Sequence, residues 1–260
     1  MIVKKLNGHS GCEVYLMREE HSFVRKISSD VEYNQRLVSQ MNKQGAFRNS
    51  TLKTPQIFNS GFMEDKFYFD MEYIRGSNFH EFVQKENISN VKSKFATVID
   101  FIETNTDLNE SVKKDIQSKI NNLQIDSQYD RYRDYCLDFD WNKIYKSYCH
   151  GDLTFENLII SGDEIYVIDF LDSFVDTKIM DYAKIFQELY CFWSYRELDK
   201  NFNIKYIILD QMIQLDNFKK QASLKLLTLN LLRILPYANE HTTQFVDYQL
   251  KYVTKGIDGQ

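Results

Sequence analysis

Apolar and polar positions change rhythm once along this chain. Up to about residue 75, short β-branched and aromatic runs are separated by glycine or polar breaks, which predicts strands over 2–6, 13–17, 22–27, 56–58 and 67–74. One stretch among them, 31–43, carries Leu37, Val38 and Met41 at helical spacing. Beyond Gly76 the pattern is helical, over 78–85, 88–103, 108–123, 179–198, 202–215, 218–235 and about 241–253. A strand pair at 157–160 and 165–168 interrupts this series. The pattern predicts an α+β chain with a boundary near Arg75. Residues 1–75 form a sheet-rich part, and residues 76–260 a larger, mostly helical one.

The chain of 260 residues is 43% apolar and 27% charged, which suits a globular protein with a real core. Aromatics at 15% and two prolines add long elements and an aromatic interior to that picture. A net charge of −5 leaves no basic footprint, which argues against nucleic acid and against anionic membrane surfaces as partners. The sequence has no apolar run long enough to span a bilayer, and charges interrupt the apolar N-terminal stretch, so membrane insertion and a signal peptide are not expected. Cys12, Cys136, Cys149 and Cys191 have neither CxxC nor metal spacing and read as free thiols, consistent with the cytoplasm.

The candidate chemistry lies in His150-Gly-Asp-Leu-Thr-Phe-Glu-Asn157 and the following Leu158 to Phe170. Two apolar runs flank Ser161-Gly162-Asp163-Glu164, which reads as a hairpin connection. If Ile160 pairs with Ile165, Asn157 falls opposite Ile168 and beside Asp169, at the hairpin's open end. Asp152 lies five residues earlier, on the loop entering the first strand. An amide oxygen and a carboxylate are hard ligands suited to Mg²⁺, which keeps water and substrate phosphates in its shell. Asp152 is then placed to orient an incoming hydroxyl and accept its proton. Turn-capping by Asp and Asn explains each residue singly but not the joint arrangement. His150 reads as shaping the loop, with direct proton transfer as the alternative.

HGDLTFEN followed by VIDF resembles the catalytic and metal-binding motifs of the aminoglycoside phosphotransferase and choline kinase superfamily. The resemblance implies a protein-kinase-like two-lobe fold, with a small antiparallel-sheet N-lobe and a larger helical C-lobe. It implies Asp152 as the catalytic aspartate, Asn157 and Asp169 as Mg²⁺ ligands, and ATP or another nucleoside triphosphate as donor.

Asn7-Gly8-His9-Ser10-Gly11 joins two predicted strands. Its glycines suit backbone approach to phosphates and an ordinary hairpin turn about equally. The resemblance favours a nucleotide role for Gly8 and Gly11, with Ser10 as a phosphate contact. Alternation over 23–27 puts Val24 and Lys26 on one face and Phe23, Arg25 and Ile27 on the other. Lys26 therefore fits the phosphate-binding lysine of the kinase template, with a solvated Lys26 or a role for the neighbouring Arg25 as alternatives. Glu32, at the start of the predicted helix, is placed either to pair with Lys26 or to complement the helix dipole. The run Tyr68 to Gly76 resembles the family's inter-lobe hinge, whose main chain from Glu72 to Ile74 would bond adenine.

Asp181-Tyr182-Ala183 matches the family position that folds back onto the catalytic loop. Tyr190, Phe192, Trp193 and Tyr195 form either a cage for a cation, a stacking surface for a sugar, or core packing. Arg233 sits in an apolar stretch and needs a partner. VRKIS, IDFLDSF and LLRILPY resemble bacterial members of the superfamily associated with surface polysaccharide synthesis.

The expected function is ATP- and Mg²⁺-dependent phosphorylation of a small-molecule hydroxyl, on a sugar-like alcohol, an amino alcohol or an aminoglycoside. A protein kinase is the nearest alternative, weakened by HGD in place of HRD and by the lack of an APE sequence. A non-catalytic nucleotide-binding module is another, weakened by the intact Asp152, Asn157 and Asp169.

Overall fold

A computed structural model describes residues 1–6, 12–171, 173–196 and 203–255. The strands are β1 (Ile2–Leu6), β2 (Cys12–Arg18), β3 (Ser22–Ser28), β4 (Leu52–Lys53), β5 (Ile57–Met63), β6 (Lys66–Glu72), β7 (Ser77–Asn78), β8 (Asp107–Ser111), β9 (Tyr145–Ser147), β10 (Leu158–Ser161) and β11 (Glu164–Val167). The helices are α1 (Asn34–Ala46), α2 (Phe79–Lys85), α3 (Ile88–Thr104), α4 (Lys113–Asn121), α5 (Asp130–Leu137), α6 (Lys178–Cys191), α7 (Ile204–Asp210), α8 (Asn217–Leu232) and α9 (Glu240–Val253). The chain divides into two compact units. The first comprises Met1–Phe82 with Glu156–Asp172, and the second Val83–Phe155 with Ser173–Gln260.

In the first unit, β1-β2-β3-β6-β5 form an antiparallel sheet. Strand alternation sends Val24, Phe67, Phe69 and Met71 into one cluster with Leu37 of α1, and Tyr33, Val38 and Met41 pack against it. Each such large side chain removed from water contributes about 1.5–3 kcal/mol. On the other face, Arg25 is fixed to Asp70 by two hydrogen bonds of 2.7 Å and lies 4.5 Å over the ring of Tyr68. A second, four-stranded sheet has the order β4-β11-β10-β7.

The expected division at Arg75 differs from this partition. The hairpin β10-β11 pairs in parallel with β4 and antiparallel with β7, both from the first 82 residues. These ladder bonds join residues about a hundred positions apart, which local pattern does not reveal. The β7–β10 pairing depends on Gly76. A Cβ there would sit 2.7 Å from Ile159 Cγ2 and closer still to the Ile160 carbonyl oxygen. Gly76→Ala should therefore destabilise the first unit by about 3 kcal/mol, the upper range for overpacking a tight contact. A urea melt reporting on that unit checks this, and an unchanged midpoint would sink it.

The second unit is built around α6 and α8. α6 is buried at eleven of its fourteen residues and α8 at ten of sixteen, as expected of helices enclosed on most sides. Val91, Phe95, Val98, Phe101 and Ile102 of α3 line the same core. Two expectations are corrected here. Residues 108–123 are not one helix: Asp107–Ser111 is a strand paired with β9, and the helix begins only at Lys113. α5 was not foreseen, because only Tyr132 and Cys136 of its eight residues are buried, too few for an apolar stripe. It is held by packing on α8. All four cysteines are free thiols. Burial in the α5–α8 core raises the Cys136 thiol pKa to about 12. Among the described residues, no helix is long and apolar enough to cross a membrane.

Candidate active site

The expected hairpin register is the observed one. Ile160 faces Ile165, Leu158 faces Val167, and Ile168 N–H donates to the Asn157 carbonyl at 3.0 Å. Asn157 thus lies across the hairpin from Ile168, one residue from Asp169. Asp169 has left-handed backbone, φ 59°, in contrast to the strand it follows. Such a conformation in a non-glycine residue costs free energy and tends to persist at functional sites.

Alternation along β3 carries Lys26 inward beside Val24, and Lys26 is only 2% exposed. Its Nζ donates to Asp169 Oδ1 at 2.9 Å and to Gln40 Oε1 at 3.1 Å. Gln40 Nε2 in turn donates to the Tyr33 hydroxyl. Burial is the largest single influence and works against the ammonium charge, but Asp169, together with smaller contributions from Cys12 and Tyr33, outweighs it, and the Lys26 pKa ends above its ordinary value.

Asn157 and Asp169 together offer one amide and one carboxylate oxygen. Among the described residues no three His, Cys, Asp or Glu side chains cluster to hold a metal. A donor set so small fits Mg²⁺, which draws its remaining ligands from water and phosphate. It does not fit zinc, which takes three or four protein ligands.

In the second unit, the loop 150–155 is held by one face of α6. Asp181, fully buried, accepts from His150 N–H and Gly151 N–H, each at 2.8 Å. Gly151 has φ 89°, a conformation that a β-carbon disfavours, so the position favours glycine. His150 is fully buried, and its Nδ1 accepts from Asp152 N–H at 3.3 Å, which puts the ring proton on Nε2. The Asp152 carboxylate forms an ion pair with Lys184 at 2.9 Å. Glu188, also fully buried, accepts from Phe155 N–H at 3.1 Å. The side chain of Phe155 is locked edge-on between Phe95 and Tyr206.

Residues 106–215, which include this loop and the hairpin, match the phosphotransferase enzyme family, APH. Across the whole chain the fold is similar to that of a thermostable mutant of aminoglycoside phosphotransferase APH(4)-Ia in its apo form. The TM-score is 0.68 at 13% identity, covering 99% of this chain and 95% of that one. The chain has the aminoglycoside phosphotransferase fold.

The same fold appears in the streptomycin–ATP–APH(2″)-IIa ternary complex, with TM-score 0.60, 14% identity, and coverage of 95% and 90%. It appears also in a putative fructosamine-3-kinase from Haemophilus somnus 129PT, with TM-score 0.54, 14% identity, and coverage of 95% and 90%. No curated protein matches in sequence. The resemblance read from HGDLTFEN and VIDF, and the kinase-like fold it implied, therefore stand.

Within this phosphotransferase fold several expected site residues are placed differently. Glu32 does not pair with Lys26. It is exposed, in the turn before α1 begins at Asn34, and the place beside the ammonium is taken by Gln40. Arg25 is committed to Asp70, which leaves Lys26 as the inward cation of β3. Glu72 is corrected in part. Its N–H donates to the Gln56 carbonyl at 2.8 Å, so that amide does not serve adenine. Ile74 lies past the end of β6, where the ladder no longer uses the main chain. Gly8, Ser10 and Gly11 lie outside the described residues.

The aromatics at the end of α6 and just beyond it pack on one another rather than forming a cage. Tyr190 stacks on Phe186 and donates to Asp210, Phe192 stacks on Tyr206, and Tyr195 is buried against the same ring. Trp193 is covered by the Arg196 guanidinium at 4.4 Å. Arg233 lies over Phe174 at 4.7 Å and donates to Asn230.

Sequence reasoning missed Gln40, Lys184 and Glu188. Each interrupts an apolar helical stripe. Gln40 shares the buried face of α1 with Leu37 and Gln44. Lys184 and Glu188 stand three and seven residues after Asp181 on the most buried helix. Polar groups at such positions require partners, and that was the available signal.

Proposed function

We propose that this protein is an ATP- and Mg²⁺-dependent phosphotransferase acting on the hydroxyl of a small molecule. The observation that carries this reading is the buried Lys26 ammonium on the Asp169 carboxylate, beside Asn157 at the end of the hairpin, within an aminoglycoside phosphotransferase fold. A lysine buried to this degree needs an anionic partner, and the phosphates of a bound nucleotide would supply one beside Asp169.

Asn157 and Asp169 would hold Mg²⁺, which neutralises charge on the phosphates when bound. Lys26 steadies the donor's phosphates, and Gln40 keeps its ammonium in place without competing for its charge. The main chain beyond Glu72, with Ile74, meets the adenine. Asp152 receives the proton of the acceptor hydroxyl as the oxygen–phosphorus bond forms and the bond to the departing nucleoside diphosphate breaks. Positioning and electrostatics supply the rate, with no covalent enzyme intermediate.

The acceptor class is read as a sugar-like alcohol, an amino alcohol or an aminoglycoside. Neighbours of the same fold are solved with streptomycin and ATP, with gentamicin, and as a putative fructosamine-3-kinase. Free thiols and use of ATP suit the cytoplasm.

The test is ATP consumption by the purified protein over a panel of sugars, choline, ethanolamine, ketosamines and aminoglycosides. Each is assayed with Mg²⁺ and again with excess EDTA. Turnover that depends on both an acceptor and Mg²⁺ is expected. Phosphate transfer to generic peptides but to none of the small molecules would favour the protein-kinase reading instead.

A further inference from the structure

We propose that Lys184 is a positioning residue for phosphoryl transfer, fixing the Asp152 carboxylate in the orientation that meets the acceptor hydroxyl. The inference rests on the phosphotransferase reading above. It comes from the way one face of α6 grips the loop 150–155. Asp181, Lys184 and Glu188 stand at i, i+3 and i+7, which places them in one row on a helix. The two carboxylates close on backbone. Asp181 takes His150 N–H and Gly151 N–H, and Glu188 takes Phe155 N–H. Lys184 closes on a side chain of the loop, the carboxylate of Asp152 at 2.9 Å.

The environment of this pair differs from that of the surface ion pairs. The Lys184 side chain is 12% exposed and that of Asp152 31%, against 62% and 42% for Lys5–Glu13 and 69% and 44% for Lys143–Asp140. Exposed pairs are worth little, because both side chains stay mobile and water screens them. A lysine drawn into a buried helix face loses hydration that a single partly exposed carboxylate repays poorly, so stability alone is a weak account of it. What the arrangement does supply is a fixed rotamer. An ammonium anchored through a rigid helix sets the plane of the Asp152 carboxylate, while Asp181 and Glu188 set the backbone on either side of it. Groups held to about half an ångström are what transfer reactions demand, and small misplacements cost rate more than binding. Lys184 keeps its proton throughout. The hydroxyl proton passes to Asp152, and no bond is made or broken at the lysine.

The experiment uses the full chain with Mg·ATP, reading both hydrolysis with water as acceptor and transfer to the best hydroxyl of the panel. Lys184→Met should lower kcat about 10- to 100-fold, in line with the loss of a positioning contact. KM for ATP, the Kd for Mg·ADP and the melting temperature should stay near wild type. Lys184→Arg should recover most of the rate. In an Asp152→Asn background, Lys184→Met should add little, because the two act as one unit.

Wild-type kcat in Lys184→Met, a full further loss in the Asp152→Asn background, or a rate loss that follows melting would overturn the proposal. If Lys184→Met fails to fold, Lys184→Gln is read in the same way. Should Asp152→Asn itself keep full turnover, or the wild type turn over no ATP with any acceptor, the phosphotransferase reading falls and this one with it. A dead Asp152→Asn beside a fully active Lys184→Met sinks the role of Lys184 alone.

Discussion

Asp152→Asn is expected to lower phosphotransfer about 10³-fold, within the range seen when a positioned general base is removed. The amide keeps the side-chain volume and one oxygen for Lys184, so the loop held by Asp181 and Glu188 should stay in place. It no longer accepts the hydroxyl proton. In the proposed function nucleotide binding rests on other groups, among them Lys26 and Asp169, so the Kd for Mg·ADP should change less than about twofold. Initial rates of ATP consumption and calorimetric titration with Mg·ADP separate the two effects. A variant that turns over within a few-fold of wild type would remove Asp152 from the chemistry. A variant that loses nucleotide binding in proportion to rate would make it a binding residue instead.

Asp181→Ala is expected to destabilise the second unit by about 3–5 kcal/mol. The carboxylate is fully buried and accepts from two consecutive backbone amides at 2.8 Å. Hydrogen bonds to a charged acceptor contribute about 1.5–3 kcal/mol each, and two buried N–H groups would be left without partners. Asp181→Asn should cost less, since one amide oxygen still serves one of the two donors. The measurement is thermal melting followed by circular dichroism, with a fall of about 10 °C expected for a chain of this length. Because Gly151 and His150 carry the backbone to Asp152, turnover should fall as well, even at temperatures where the variant is folded. A melting temperature within about 2 °C of wild type would show that the two amides find other acceptors.

Much of the first unit was legible from local pattern. Period-two alternation over 22–27 assigned Val24 and Lys26 to the inward face, and the structure buries both. The apolar runs either side of Ser161-Gly162-Asp163-Glu164 were enough to set the register that puts Asn157 beside Asp169. Glu32 was misread because its role depended on where α1 starts. A helix beginning at Asn34 leaves Glu32 in the exposed turn and turns Gln40, two turns further on, toward the lysine. The polar segment 107–111 was misread because its pairing partner, β9, lies more than thirty residues away.

By itself the sequence determined the change from sheet to helix near residue 75, the hairpin with its Asn157 and Asp169, the inward lysine and the segment that carries Asp152. These depend on neighbours within about ten residues, where side-chain periodicity and turn chemistry act directly. Only the tertiary structure decided that Gln40 rather than Glu32 attends Lys26, that the hairpin β10-β11 joins β4 and β7 in one sheet, and that Asp181, Lys184 and Glu188 grip the loop from one helix face. Those choices are made between groups 14 to more than 100 residues apart, where burial forces each polar atom to take whichever partner the packing brings within reach.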